Sequence, residues 1–164
     1  MAITTTCQFD IDKIRQLIAD ILSLPKYLVI DISQSNDLTA YTQFITVLIK
    51  SQYEIGSEID YDASSEIEII SSLNELTLSV NAYGANGYDE INKLVSSMNL
   101  TSVWERLKTM KIGYLRSSQI QHLSTDLPDV KEPCAHVDLI FSINNVTRAD
   151  VKRGESVQII TEVN

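Results

Sequence analysis

Asn74-Glu-Leu-Thr-Leu-Ser-Val-Asn-Ala-Tyr-Gly84-Ala-Asn-Gly-Tyr-Asp-Glu-Ile-Asn-Lys-Leu-Val-Ser-Ser-Met98 changes its apolar period once, in the middle. As far as Tyr83, Leu76, Leu78, Val80 and Ala82 alternate with Glu75, Thr77, Ser79 and Asn81. That alternation predicts a strand with one buried face and one wet face. Gly84-Ala-Asn-Gly87 then breaks the pattern, and Ile91, Leu94, Val95 and Met98 recur at helical spacing. The stretch reads as strand, turn and helix over 88–98, with Asn86 at the N-cap and Asp89 and Glu90 beside the positive end of the helix dipole.

The flanking segments repeat the two periods. Ile11, Ile14, Leu17, Ile18, Ile21 and Leu22 predict an amphipathic helix over 10–24, capped by Asp10 and stopped by Pro25. Residues 27–32 read as a short apolar strand or extended connection, 33–37 as a turn, and 41–53 as a long strand rich in Tyr, Phe, Ile, Thr and Val. Gly56 to Ser65 is polar and acidic and reads as a loop, followed by a strand over 66–70. After the 88–98 helix, Ser102-Val-Trp-Glu105 has capping-box spacing for a second helix over 102–110, with Val103, Trp104, Leu107 and Met110 facing inward. Residues 112–123 look extended, and Thr125 to Pro133 reads as a loop. Val137, Leu139, Phe141 and Ile143 alternate over 135–144. Asn144 to Gly154 reads as a polar connection, and 155–162 as a last strand. Strands come in runs rather than in turn with helices. The expectation is an α+β fold: a mainly antiparallel sheet with an N-terminal helix and two central helices packed on it.

The chain has 164 residues, enough for one domain with its own core over residues 1–164. Its 44% apolar and 21% charged content is that of a globular domain. With 5 Gly and 3 Pro, collagen-like and Pro-rich linker classes are excluded. No apolar run approaches the ~20 residues of a membrane span, and Met1 to Cys7 lacks the basic start and apolar run of a signal peptide. Cys7 and Cys134 make no disulfide framework, so a reduced, intracellular setting is expected.

The net charge is −9, the wrong sign for a protein that grips nucleic acid through phosphates. Glu54, Glu58, Asp60, Asp62, Glu66, Glu68, Glu75, Asp89 and Glu90 fall within residues 51–92, which contain no Lys or Arg. That segment carries the whole imbalance. It reads either as a solvated acidic face or as a surface that repels a polyanion or docks on a basic partner. Arg106, Lys108, Lys111 and Arg116 form a smaller basic cluster. In copies packed head to tail the two patches would face each other. Tyr83 and Tyr88 flank the Gly84 turn as candidate interface anchors.

Catalytic patterns are weak. Pro128-Asp129 followed by Asp150-Val-Lys152 has the residue types of a metal-dependent nuclease, but in a loop and without a basic DNA track. Cys134 and His136 are zinc-type ligands that would share a strand face, yet a structural zinc needs four. Gly84-x-x-Gly87 lacks the third glycine of a dinucleotide site and the Gly-Lys-Ser/Thr of a nucleotide loop. No catalytic residue, cofactor or metal is expected.

The order of the strand ending in Ala82-Tyr83-Gly84, the Ile91–Val95 helix, the short second helix, Met110-Lys-Ile-Gly-Tyr-Leu115, and the late strand Ala135-His-Val-Asp-Leu-Ile-Phe141 resembles the phage neck and tail terminator proteins of long-tailed bacteriophages over about residues 40–164. Lys131-Glu-Pro-Cys-Ala135 keeps the acid and the Ala of the run expected before the late strand and departs from the rest. The resemblance implies a structural virion protein, made in the host bacterial cytoplasm. It would form a ring, generally hexameric, that ends the tail tube and meets the head connector. In contractile phages it would also meet the last sheath layer. DNA would pass through without being read. The expected interface or lumen residues are Glu54, Glu58, Asp60, Asp62, Tyr83, Tyr88, Arg106, Lys108 and Arg116. The alternatives are another neck protein such as a connector stopper, the metal-dependent nuclease, and an acidic binding protein that mimics DNA charge.

Overall fold

The computed structural model describes residues 2–34, 37–123 and 133–151. The loop expected over 125–133, the last strand over 155–162, and Asp129 and Lys152 therefore lie wholly or almost wholly outside the described residues. Among the described residues three α-helices, α1 (Ile11–Leu22), α2 (Gly87–Ser97) and α3 (Thr101–Thr109), accompany seven strands. The strands are β1 (Ile3–Cys7), β2 (Val29–Asp31), β3 (Phe44–Asp62), β4 (Ile67–Tyr83), β5 (Gly113–Ser117), β6 (Gln121–His122) and β7 (Ala135–Asp150). The sheet runs β2-β3-β4-β7, and its far edge is made in turn by β6, β5 and β1, all paired with β7.

The sheet is mixed rather than wholly antiparallel. Among the described residues five ladders are antiparallel, and β2 runs parallel to β3. The parallel step needs a crossover of about a dozen residues, and the connection from β2 to β3, residues 32–43, has that length. The N-terminal helix is also not the first element, because β1 precedes it.

The expected alternation builds the core. Leu76, Leu78, Val80 and Ala82 of β4 lie opposite Phe141, Leu139, Val137 and Ala135 of β7, and all are buried. Ile14, Leu17 and Ile18 of α1 and Ile91 and Leu94 of α2 close over that face in one continuous cluster. Helix α2 packs on β4 and β7, and α1 on β2 and α2. Helix α3 contacts β5, at the margin of the sheet rather than over its middle.

Helix ends depart in part from expectation. The Asp10 carboxylate accepts from the Asp12 N–H at 3.0 Å, as expected. Helix α1 ends at Ser23, in the left-handed region at φ 56°, before Pro25. Asn86 holds the α2 N-cap position but makes no side-chain cap bond, and α3 starts one residue early with Leu100 at its N-cap, so the Ser102–Glu105 box does not form. Trp104 is 58% exposed and is not core. Val103 and Leu107, one turn apart, take the buried stripe, and Trp104, about 100° further round the helix from Val103, faces outward.

The largest correction concerns length. Residues 56–62 are strand, not loop: β3 runs 19 residues to Asp62, roughly 60 Å of chain. The two strands expected at 66–70 and 74–83 are one, β4. Asn144 to Asp150 continues β7 instead of forming a connection. Cross-strand pairing explains each case. Glu58, Asp60 and Asp62 pair with Ser71, Ile69 and Ile67, and β7 to Asp150 pairs with β4 back to Ile67. β1 caps this end by pairing Ile3–Cys7 with Asn145–Ala149. Both faces are largely wet here, so no burial pattern marks the strands in the sequence.

Candidate functional site

Two surfaces stand out, an arm and a groove. The arm is the part of the β3–β4–β7–β1 sheet that lies past the helices. From Lys50 to Asp62 every β3 residue is exposed. Tyr53, Ile55, Ile59 and Tyr61 are among them, with Ile59 at 66%. β3 shifts register at Ile49/Ser51 and again at Glu54/Gly56, and such bulges bend a strand and raise its twist.

Register sorts the four acids expected to act together. Glu54 pairs with Asn74 and shares the helix-side face of the sheet with Leu76. Glu58, Asp60 and Asp62 fall on the other face. Asp62 is committed to the turn at the arm tip. Its Oδ1 accepts from the Ser64 N–H at 2.9 Å and the Ser64 hydroxyl at 2.6 Å, and its Oδ2 from the Ser65 hydroxyl at 2.6 Å. These bonds, the Ser64 hydroxyl first, lower its pKa from 3.8 to about 2.

The groove, about 730 Å³, lies between α3, the start of β5 and the outer edge of β7. β5 reaches β7 at Gly113, opposite Ser142, and β1 takes over at Cys7, opposite Asn145. Between them Ile143 and Asn144 have no ladder partner on that side among the described residues. Trp104 and Leu73 supply apolar wall, Lys108 and Lys111 positive charge, and Glu105 one opposing carboxylate.

The basic residues do not act as one cluster. Arg106 pairs with Asp20 of α1 at 2.8 Å. That contact and the larger effect of the Gln16 side chain lower the Asp20 pKa. Arg116 reaches Glu75 on the open face at 2.6 Å, and the carboxylate raises its pKa. Lys108 lines the groove. Of the two tyrosines, Tyr83 is stacked on Phe44, ring centroids 4.3 Å apart, and Tyr88 is 41% exposed with its ring edge-on to His122. Trp104 and Lys111 of the groove were missed as a pair. Trp104 was expected to face inward, and only its exposure in the structure sets it on the surface beside Lys108, its i+4 neighbour.

Cys134 and His136 do not share a site. Cys134 precedes the regular strand, and its thiol donates to the Ala82 and Gly84 carbonyls at 3.3 and 3.0 Å. His136 sits on the open face between Asn81, at 2.8 Å from Nδ1, and Asp138, at 3.2 Å from Nε2. Asp138 also holds Lys50 at 2.8 Å. Among the described residues no group of three or more His, Cys, Asp or Glu is placed to hold a metal ion.

The family model for the phage neck terminator protein matches residues 11–164. No curated protein sequence matches the chain. With nearly the whole length covered, the chain belongs to the phage neck terminator family.

Proposed function

We propose that this neck terminator protein assembles into a closed ring, six copies in a turn, that stops growth of the tail tube and presents a docking surface to the head connector. In a contractile phage the same ring meets the last sheath layer. The family is a structural one of the phage neck, so the virion neck or tail is where the chain acts, and assembly rather than turnover is its work.

The observation that carries the ring is the arm. A monomer seldom leaves a long sheet edge bearing Tyr53, Ile55, Ile59 and Tyr61 open to solvent. Arm and groove are different surfaces, and contact between unlike surfaces propagates head to tail until rotation closes it. The acidic 51–92 segment supports passage of DNA without capture. Repeated around a ring it sums to a negative field, with few phosphates neutralised.

Phage assembled without this protein test the reading. The expected result is filled heads and separate tails of uneven length, with joining restored when the protein is supplied. Tails of normal length joined to heads in its absence would refute it. Reversing Glu54, Glu58, Asp60 and Asp62 to Lys is expected to impair tail completion or DNA ejection. Unchanged assembly and ejection would remove the acidic surface from the account.

A further inference from the structure

We infer that the groove beside α3 receives the arm of a second copy of this chain, and that this contact links neighbouring subunits. The inference rests on the ring reading and names its joint.

Complementarity identifies the occupant. The groove offers Trp104, 58% exposed, with Lys108 and Lys111 at its rim. The outer part of the arm offers the converse: Ile59 and Tyr61 on one face, Glu58 and Asp60 on the other, and no Lys or Arg from Ser51 to Tyr83. An edge strand carrying alternating apolar and acidic residues can set Tyr61 against the indole while its carboxylates meet the two ammonium groups. Glu105 opposes one of them, leaving the groove net positive. The outer edge of β7 at Asn144, which has no ladder partner on that side among the described residues, borders the groove, and an incoming strand can pair there.

Reach is sufficient. Ser51 to Asp62 is a 12-residue strand segment, roughly 40 Å long, and it starts where the helical core ends. The arm does not fold back on its own groove, because β3 lies on the opposite side of β4 from β7. The contact is therefore between copies.

The test is a charge exchange read by light scattering and negative-stain microscopy of the full chain, at low and high salt. The Lys108→Glu/Lys111→Glu pair and the Glu58→Lys/Asp60→Lys pair are each expected to cut the ring fraction roughly tenfold. Combining all four is expected to restore it, which a folding defect cannot do. Thermal melting of each variant separates loss of fold from loss of contact. Undiminished rings in both pairs, or no recovery in the combination, overturn the arm-and-groove joint and leave the ring intact as a reading. An unaltered protein that neither forms rings nor caps tubes overturns the ring reading, and the joint with it.

Discussion

At the residue scale the turn chemistry is the most exposed to measurement. Asp62 holds the arm tip through three hydrogen bonds to Ser64 and Ser65. Its folded pKa of about 2 lies below the ordinary 3.8. The carboxylate's contribution is therefore complete above 3.8 and is lost as the pH falls through about 2. An NMR titration should give a midpoint near 2, and Ser64→Ala should move it up toward 3.8. An Asp62 midpoint already at the ordinary value would show that the turn is not held this way. Gly84 and Gly87 mark the other turn. Gly84 has φ 104°, which a side chain strains to adopt. At Gly87 a Cβ would run into the Cys134 sulfur and press on Ala82. We predict that Gly87→Ala costs about 1–3 kcal/mol in urea unfolding. Removing the sulfur as well, in Gly87→Ala/Cys134→Ala, should cost less than the sum of the single changes. Strict additivity would mean that the sulfur does not limit the fit.

At the element scale, burial decides both what the sequence discloses and what is rigid. α1 and the 76–82 and 137–143 strand segments are legible because one face of each is buried, and burial imposes the period. The outer parts of β3 and β7 are strand for a different reason, cross-strand pairing, which leaves no apolar rhythm in a segment wet on both sides. β1 is hidden likewise: Thr4, Thr5 and Thr6 suit a strand, but three successive threonines carry no alternation. Trp104 misleads because an aromatic beside a helix's apolar stripe is usually core, whereas Val103 and Leu107 fill the buried face and leave it outside. Two predictions belong here. Along β4, the amides of 68–72 should exchange at least roughly tenfold faster than those of 76–82, since the same central strand leaves the cover of the helices. Equal protection would mean that the arm is as firmly held as the core. Trp104→Ala should change stability by less than about 1 kcal/mol, whereas Leu107→Ala, at a site 2% exposed, should cost about 2–5 kcal/mol. A large loss at Trp104 would place it in the fold rather than at a contact.

At the scale of the whole molecule, helices cover one end of a long sheet and leave the other end bare. The covered end carries the core, and the bare end carries the acidic residues Glu54, Glu58, Asp60 and Asp62. The segregation of charge was plain in the sequence; that the segment is a double-sided sheet arm rather than a loop was not, because nothing local distinguishes the two. The basic residues needed coordinates too, since Arg106 and Arg116 are spent on Asp20 and Glu75 within the chain. That leaves Lys108 and Lys111 of the cluster facing the groove. An acidic sheet arm and a basic apolar groove on one chain suit repeated, directional association better than binding a small ligand. Negative-stain microscopy of the purified protein mixed with its tail tubes tests this most directly. The account predicts rings seated at one end of each tube, with tube growth stopped there. Tubes that keep growing with both ends bare, and a protein that remains monomeric beside them, would contradict it.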